Sequence, residues 1–142
     1  MLVEAALILP LLLLFFDGMF EYGEWLMTMH NLTDAAQAGA RYAATHTSPI
    51  VINGTTYGNA NANVTTEVTN QLGISSLTNQ QINVFLSDNL GDNLGTAWTT
   101  AQAGQYVCVQ ITGTYSFAAF SWLGLPSTMH VSVQSVQCSE GN

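Results

Sequence analysis

One stretch constrains this chain before anything else. Residues 1–46 open MLVEAALILPLLLLFFDGMFEYGEWL and close NLTDAAQAGARYAATH. The first half is nearly solid apolar side chains, interrupted by Glu4 and Asp17. The second half is small and amphipathic. The pattern predicts one long helix, roughly 65–70 Å from end to end. The rest of a 142-residue chain cannot build a core that covers such a rod. Its burial has to come from a bilayer, from copies of itself, or from each in turn.

The apolar run is unbroken from Ala5 to Phe16, Pro10 included. Extended through Phe20 it approaches the roughly 20 residues that cross a bilayer core. Pro10 removes one backbone donor and is expected to kink the helix or open a turn. No basic stretch precedes the run and no small-residue cleavage site follows it. A processed N-terminus is therefore the expected start. From Gly18 onward, Gly18, Gly23, Ala35, Ala36, Ala38, Gly39, Ala40, Ala43 and Ala44 supply small faces. Such faces let helix backbones approach closely. Leu26, Met29, Leu32, Ala36, Ala40 and Ala43 recur at helical spacing, so one stripe is expected to face a head domain. Pro49 should end the helix between Thr45 and Ser48.

Composition narrows the function classes. Only 7% of residues are charged, against about 25% in ordinary soluble domains. The formal net charge is −8, and Arg41 is the one Lys or Arg. Nucleic acid is not expected as a partner, because neutralising phosphates takes several cations. So few charges suit a surface largely buried against neighbours.

The rest of the chain, 47–142, reads as a β-rich head. Ile50 to Tyr57 is a short hairpin turning at Asn53-Gly54. Asn61 or Asn63 is placed to cap a helix running to Leu72, with Val64, Val68 and Leu72 on its inner face and Gly73 at its end. Gln80 to Ser87 alternates, with Ile82, Val84 and Leu86 opposite Asn83 and Phe85. Asp88 to Gly95 repeats Asp-Asn-Leu-Gly twice and reads as a surface loop. Gln105–Phe117 and Thr128–Cys138 are the longest strands. Pairing them with Cys108 opposite Cys138 sets Val131 opposite Tyr115 and Met129 opposite Phe117, and each face keeps its character. Two cysteines in strand-like segments suggest one disulfide, Cys108–Cys138, and an oxidising compartment; two free thiols are the other reading. The apolar connection 118–127 is expected to be a contact surface. The fold class is α+β: a long hydrophobic helix followed by a small antiparallel sheet of three to five strands laid on the helix's second half.

Each candidate chemical group has a plain counterpart. Glu4, a carboxylate in an apolar helix, needs a partner or must reach an interface. Arg41 pairs either with Asp34, two turns back, or with an acid of a neighbour. His30, His46 and His130 show no ligand spacing, and Asp88 with Asp92 make a poor calcium site. No metal or cofactor is expected, and no nucleophile-and-base pattern points to an enzyme. Three Asn-X-Thr sequons begin at Asn31, Asn53 and Asn63. Asn53 and Asn63, lying off the long helix, are the plausible glycan acceptors.

With these residues in view, the opening third resembles the TadE-like family, pilin-related proteins of tight-adherence systems within the type IV pilin-like class. The matching residues are Val3-Glu4-Ala5-Ala6-Leu7, Leu9-Pro10-Leu11-Leu12, Gly18-Met19-Phe20-Glu21-Tyr22-Gly23, Leu32, Ala35-Ala36 and Gly39-Ala40-Arg41-Tyr42-Ala43-Ala44. The pattern departs at Ala5, where Phe is common, and at Glu24, where a basic residue is common. The resemblance implies a leader cut by a prepilin peptidase and storage of the subunit in the cytoplasmic membrane. It then implies extraction by pilus assembly machinery into a helical homo-oligomer with the long helices inside. It also implies that Glu4 neutralises the N-terminal amine of an adjacent subunit. Glu4, Pro10, Gly18, Gly23, Gly39 and Arg41 are thus the expected assembly residues. The expected function is a structural subunit of an extracellular adhesive filament, and low charge with the apolar 118–127 loop favours a major subunit. The alternative is a membrane-anchored minor pseudopilin or binding module that does not polymerise in bulk.

Overall fold

The structure, a computed structural model, describes residues 2–47, 50–52, 55–57, 61–73, 77–118 and 127–140; for 2–5, 50–52 and 55–57 it describes the backbone alone. The chain is α+β. A first helix, α1 (Leu2–Thr45), precedes a hairpin of β1 (Ile50–Ile52) and β2 (Thr55–Tyr57). Then follow α2 (Asn61–Leu72), β3 (Leu77–Ser87), a 3-10 turn (Trp98–Thr100), β4 (Tyr106–Ser116) and β5 (Thr128–Cys138). The main sheet is antiparallel in the order β3-β4-β5, and β1 pairs only with β2.

Helix α1 runs for 44 residues with Pro10 inside it, about 66 Å at the usual rise. The helix continues through the proline, so Pro10 neither ends it nor opens a turn in it. Its two halves live in different environments. Every residue from Ala6 to Phe20 is exposed, Leu7 at 75% and Phe20 at 76%. From Thr28 the buried positions recur every three or four residues: Leu32, Ala35, Ala36, Gly39, Ala40, Ala43 and Ala44. The expected stripe is present with one change. Trp25 packs on the core, whereas Leu26 stays 39% exposed.

The C-terminal end of α1 has no glycine cap, and other groups satisfy its orphan carbonyls. Thr45 Oγ1 donates to the Tyr42 carbonyl at 3.1 Å, and the Glu140 amide donates to that of Ala44 at 3.2 Å. The chain's C-terminal segment therefore closes the long helix. Tyr42 and His46 stack at 4.1 Å between ring centroids.

One face of the sheet carries Ile82, Val84 and Leu86 of β3, Val107, Val109, Ile111 and Tyr115 of β4, and Val131 and Val133 of β5. The alternation read from the sequence places these side chains inward. They meet the second half of α1, which lies over β4 and β5, and α2 beside it. Val64, Val68 and Leu72 are the buried residues of α2, at the expected spacing. Gly73 follows with φ +58°, as a left-handed helix terminator should. The Asn61 side-chain oxygen accepts the indole N–H of buried Trp98, tying α2 to the 3-10 turn.

The disulfide expectation is overturned. Both cysteines are free, Cys108 buried and Cys138 exposed. The β4–β5 register sets Cys108 opposite Val136 and Cys138 opposite Tyr106, and correspondingly Gly113 opposite Val131 and Tyr115 opposite Met129. The real pairing is offset by two residues from the expected one. A shift of two leaves every side chain on its own face, so alternation cannot detect it. The cysteines become diagonal neighbours, about 7–8 Å apart by usual sheet geometry, beyond the reach of an unstrained bridge.

Candidate functional site

The candidate site is the exposed half of α1 together with the small residues that follow it. By length and composition, α1 is the one helix among the described residues able to cross a membrane. Its exposed side chains run all round the axis rather than in a stripe. Monomeric soluble proteins rarely show apolar patches larger than a few hundred Å2.

The expected assembly residues separate into two groups. Gly18 and Gly23 are exposed, and a Cβ added at either would meet nothing within 4 Å. Their backbones are open to close approach by another helix. Pro10 is exposed on the same half. Glu4 lies within α1, but its side chain falls outside the described residues. Gly39 belongs elsewhere. It is buried, and a Cβ there would overlap Val68 Cγ2 of α2 while lying 3.5 Å from Val109 Cγ1 and 3.6 Å from Val64 Cγ1. Gly39 lets α1, α2 and β4 meet inside one chain, so the structure gives it a packing role within the head. Arg41 is exposed at a cleft lined by Ala38, Tyr42, Glu67 and Gln71, and Asp34 is exposed on the same side of the helix.

The other singled-out residues resolve as follows. Asn31 is half-buried in α1, and Asn63 is half-buried in the first turn of α2, where its side chain or backbone already has a partner. Asn53 lies outside the described residues, as does the apolar connection 119–126. The Phe117 amide donates to the Ser127 carbonyl at 2.6 Å, closing that connection at its base. Asp88 is engaged by its own loop: Oδ1 accepts the amides of Leu90 and Asp92, each at 2.9 Å. The Asp92 amide bond, with those of Leu90 and Gly91, holds the Asp88 carboxyl below its usual range against a smaller opposing effect of desolvation. Among the described residues, no three His, Cys, Asp or Glu gather as a metal site would require.

Two arrangements were not visible in the sequence. The Asp88 loop folds onto the outer face of β5, where Gly91, at φ +94°, sits so close to Gln134 and Val136 that a Cβ would meet them at 3.0 and 3.2 Å. Val136 lies beside Cys108 and Cys108 beside Phe85, so an apolar row crosses the outer face beneath the loop. Cys108, in the middle of that row, is fully buried. Further along, Leu94 donates to the Leu86 carbonyl and the Leu86 amide donates to Thr96, which blunts one end of the β3 edge. Burial pushes the Cys108 thiol up, outweighing a lowering contact from the Ser135 backbone.

Comparison with known proteins agrees with the N-terminal geometry. The family model described as TadE-like protein matches residues 1–41. Neither the curated proteins nor the solved structures gave a match. The matched segment ends where α1 is already packed on the sheet, and the rest of the head lies beyond it. The match over residues 1–41 falls on a helix long and apolar enough to cross a bilayer, so the N-terminal segment of this chain is similar to that of TadE-like proteins.

Proposed function

We propose that the chain is a structural subunit of an extracellular, type IV pilin-like filament, polymerising through α1 and serving in surface adhesion. The observation that carries this reading is the full exposure of α1 from Ala6 to Phe20. Each exposed Leu or Phe forgoes about 1.5–3 kcal/mol available on burial. The head covers only the second half of the helix. Before assembly a bilayer covers the first half; in the filament, copies of α1 replace the lipid. Open glycines at Gly18 and Gly23 suit that exchange, since lipid needs no close backbone approach and a helix does. A prepilin peptidase and the pilus assembly machinery are the partners that this course requires, and the role is architectural rather than enzymatic.

A second reading is supported by the same apolar run, because a bilayer alone would satisfy it: a minor pseudopilin or adhesive module that stays anchored. Electron cryo-microscopy of material sheared from the cell surface, with mass spectrometry of the same fraction, separates the two. The filament reading expects filaments built in bulk from this chain, helices inside and sheets outside. A chain recovered only from the membrane fraction sinks the filament reading and leaves the anchored one.

A further inference from the structure

Asp17 does not suit its surroundings. Its exposed carboxylate lines a groove on α1 with Pro10, Leu13, Leu14, Phe16 and Phe20. Near the far end of the same helix stands Arg41, the chain's one Lys or Arg, also exposed. The helix is continuous between them. Twenty-four residues of α-helix span about 36 Å and about 6.7 turns, so the two groups cannot meet within one chain and leave the axis about 120° apart.

The inference rests on the filament reading. When copies of α1 pack together, the apolar side chains around Asp17 leave water and take the carboxylate with them. A desolvated carboxylate needs a cation or donors. The next acid along, Glu21, is half-buried and already has a partner, and Glu24 lies beyond the apolar run. With a net charge of −8, copies otherwise repel, and each brings a single guanidinium. We infer that Asp17 of one copy pairs with Arg41 of another in the assembled filament. In parallel helices this contact sets an axial offset of about 36 Å between the paired copies. It joins one face of the helix to a different face, so it repeats from copy to copy without closing into a dimer.

Charge reversal in the full chain tests the pairing, read as the amount of chain in the sheared filament fraction relative to the membrane fraction. Asp17→Arg or Arg41→Asp alone should lower the filament fraction at least about tenfold, and the double variant should recover to within about threefold of wild type, as expected for a desolvated charge pair. The milder Asp17→Asn and Arg41→Gln keep the test valid if reversal disturbs membrane insertion or folding, and each should also reduce assembly. Glu67→Gln should leave it unchanged, because Glu67 lines the cleft beside Arg41 but is not the proposed partner. Wild-type assembly by Asp17→Asn, no recovery in the double variant, or loss in Glu67→Gln equal to that in Arg41→Gln would overturn the pair while leaving the filament reading intact. If wild type forms no filament, the filament reading fails and the pair with it.

Discussion

At the scale of single residues, Gly39 and Gly23 look alike in the sequence and differ in the structure. Gly39 is enclosed by Val68, Val64 and Val109, whereas Gly23 faces open space. Gly39→Ala should destabilise the head by about 1–3 kcal/mol through overpacking, and adding Val68→Ala should return part of it. Gly23→Ala should leave the melting midpoint where it is or raise it slightly, because alanine suits a helix interior better than glycine and meets nothing there; thermal unfolding of the detergent-solubilised chain would report this. The two cysteines divide in the same way. Cys138 is exposed and should be alkylated in the native protein, while Cys108, buried with its thiol pushed up, should react only on unfolding. Mass spectrometry after native and denaturing alkylation reads this directly. A native bridge between them would leave both unlabelled and contradict the observed register.

At the scale of elements, the Asp88 loop is a small device held by one carboxylate. Its backbone bonds to Leu90 and Asp92 keep Gly91 against Gln134 and Val136. A carboxyl held below its usual range favours the folded loop when ionised. That support is fully present above the ordinary aspartate value of about 3.9 and fades as pH falls through the lowered folded value. Asp88→Ala should therefore speed proteolysis within 88–95 and increase Cys108 alkylation at neutral pH. Asp88→Asn retains an acceptor oxygen, so it should keep the loop closed and remove its acid sensitivity. Alternation, turn signals and helical spacing made β3, β4, β5, α2 and the Ile50–Tyr57 hairpin legible in the sequence, because each is a local period. The β4–β5 offset was not legible. Register differing by two residues preserves both faces, and only contacts from outside the strand pair choose between the alternatives.

At the scale of the whole molecule, one helix serves two environments. Its second half is part of the head's core, through Leu32, Ala36, Ala40 and Ala43. Its first half touches none of that core and remains exposed. A chain lacking residues 2–20 should keep a melting midpoint close to that of the full chain, since Leu32 and the sheet are untouched. It should also sediment as a soluble monomer and leave the membrane fraction. Analytical ultracentrifugation and fractionation check both outcomes, and a truncated head that fails to fold would show that the exposed half supports the core after all.

The sequence by itself determined the long helix, its division into an apolar and a small-residue half, and the α+β order of the head. Those features depend on hydrophobic period and on lengths that nothing else in the chain can cover. Tertiary structure decided which glycine packs inside the chain's own core and which stays open, where the Asp88 loop lies, and that the cysteines stand diagonal rather than opposite. Each of these depends on which residues far apart in the chain come within a few ångströms, a distance no local pattern encodes.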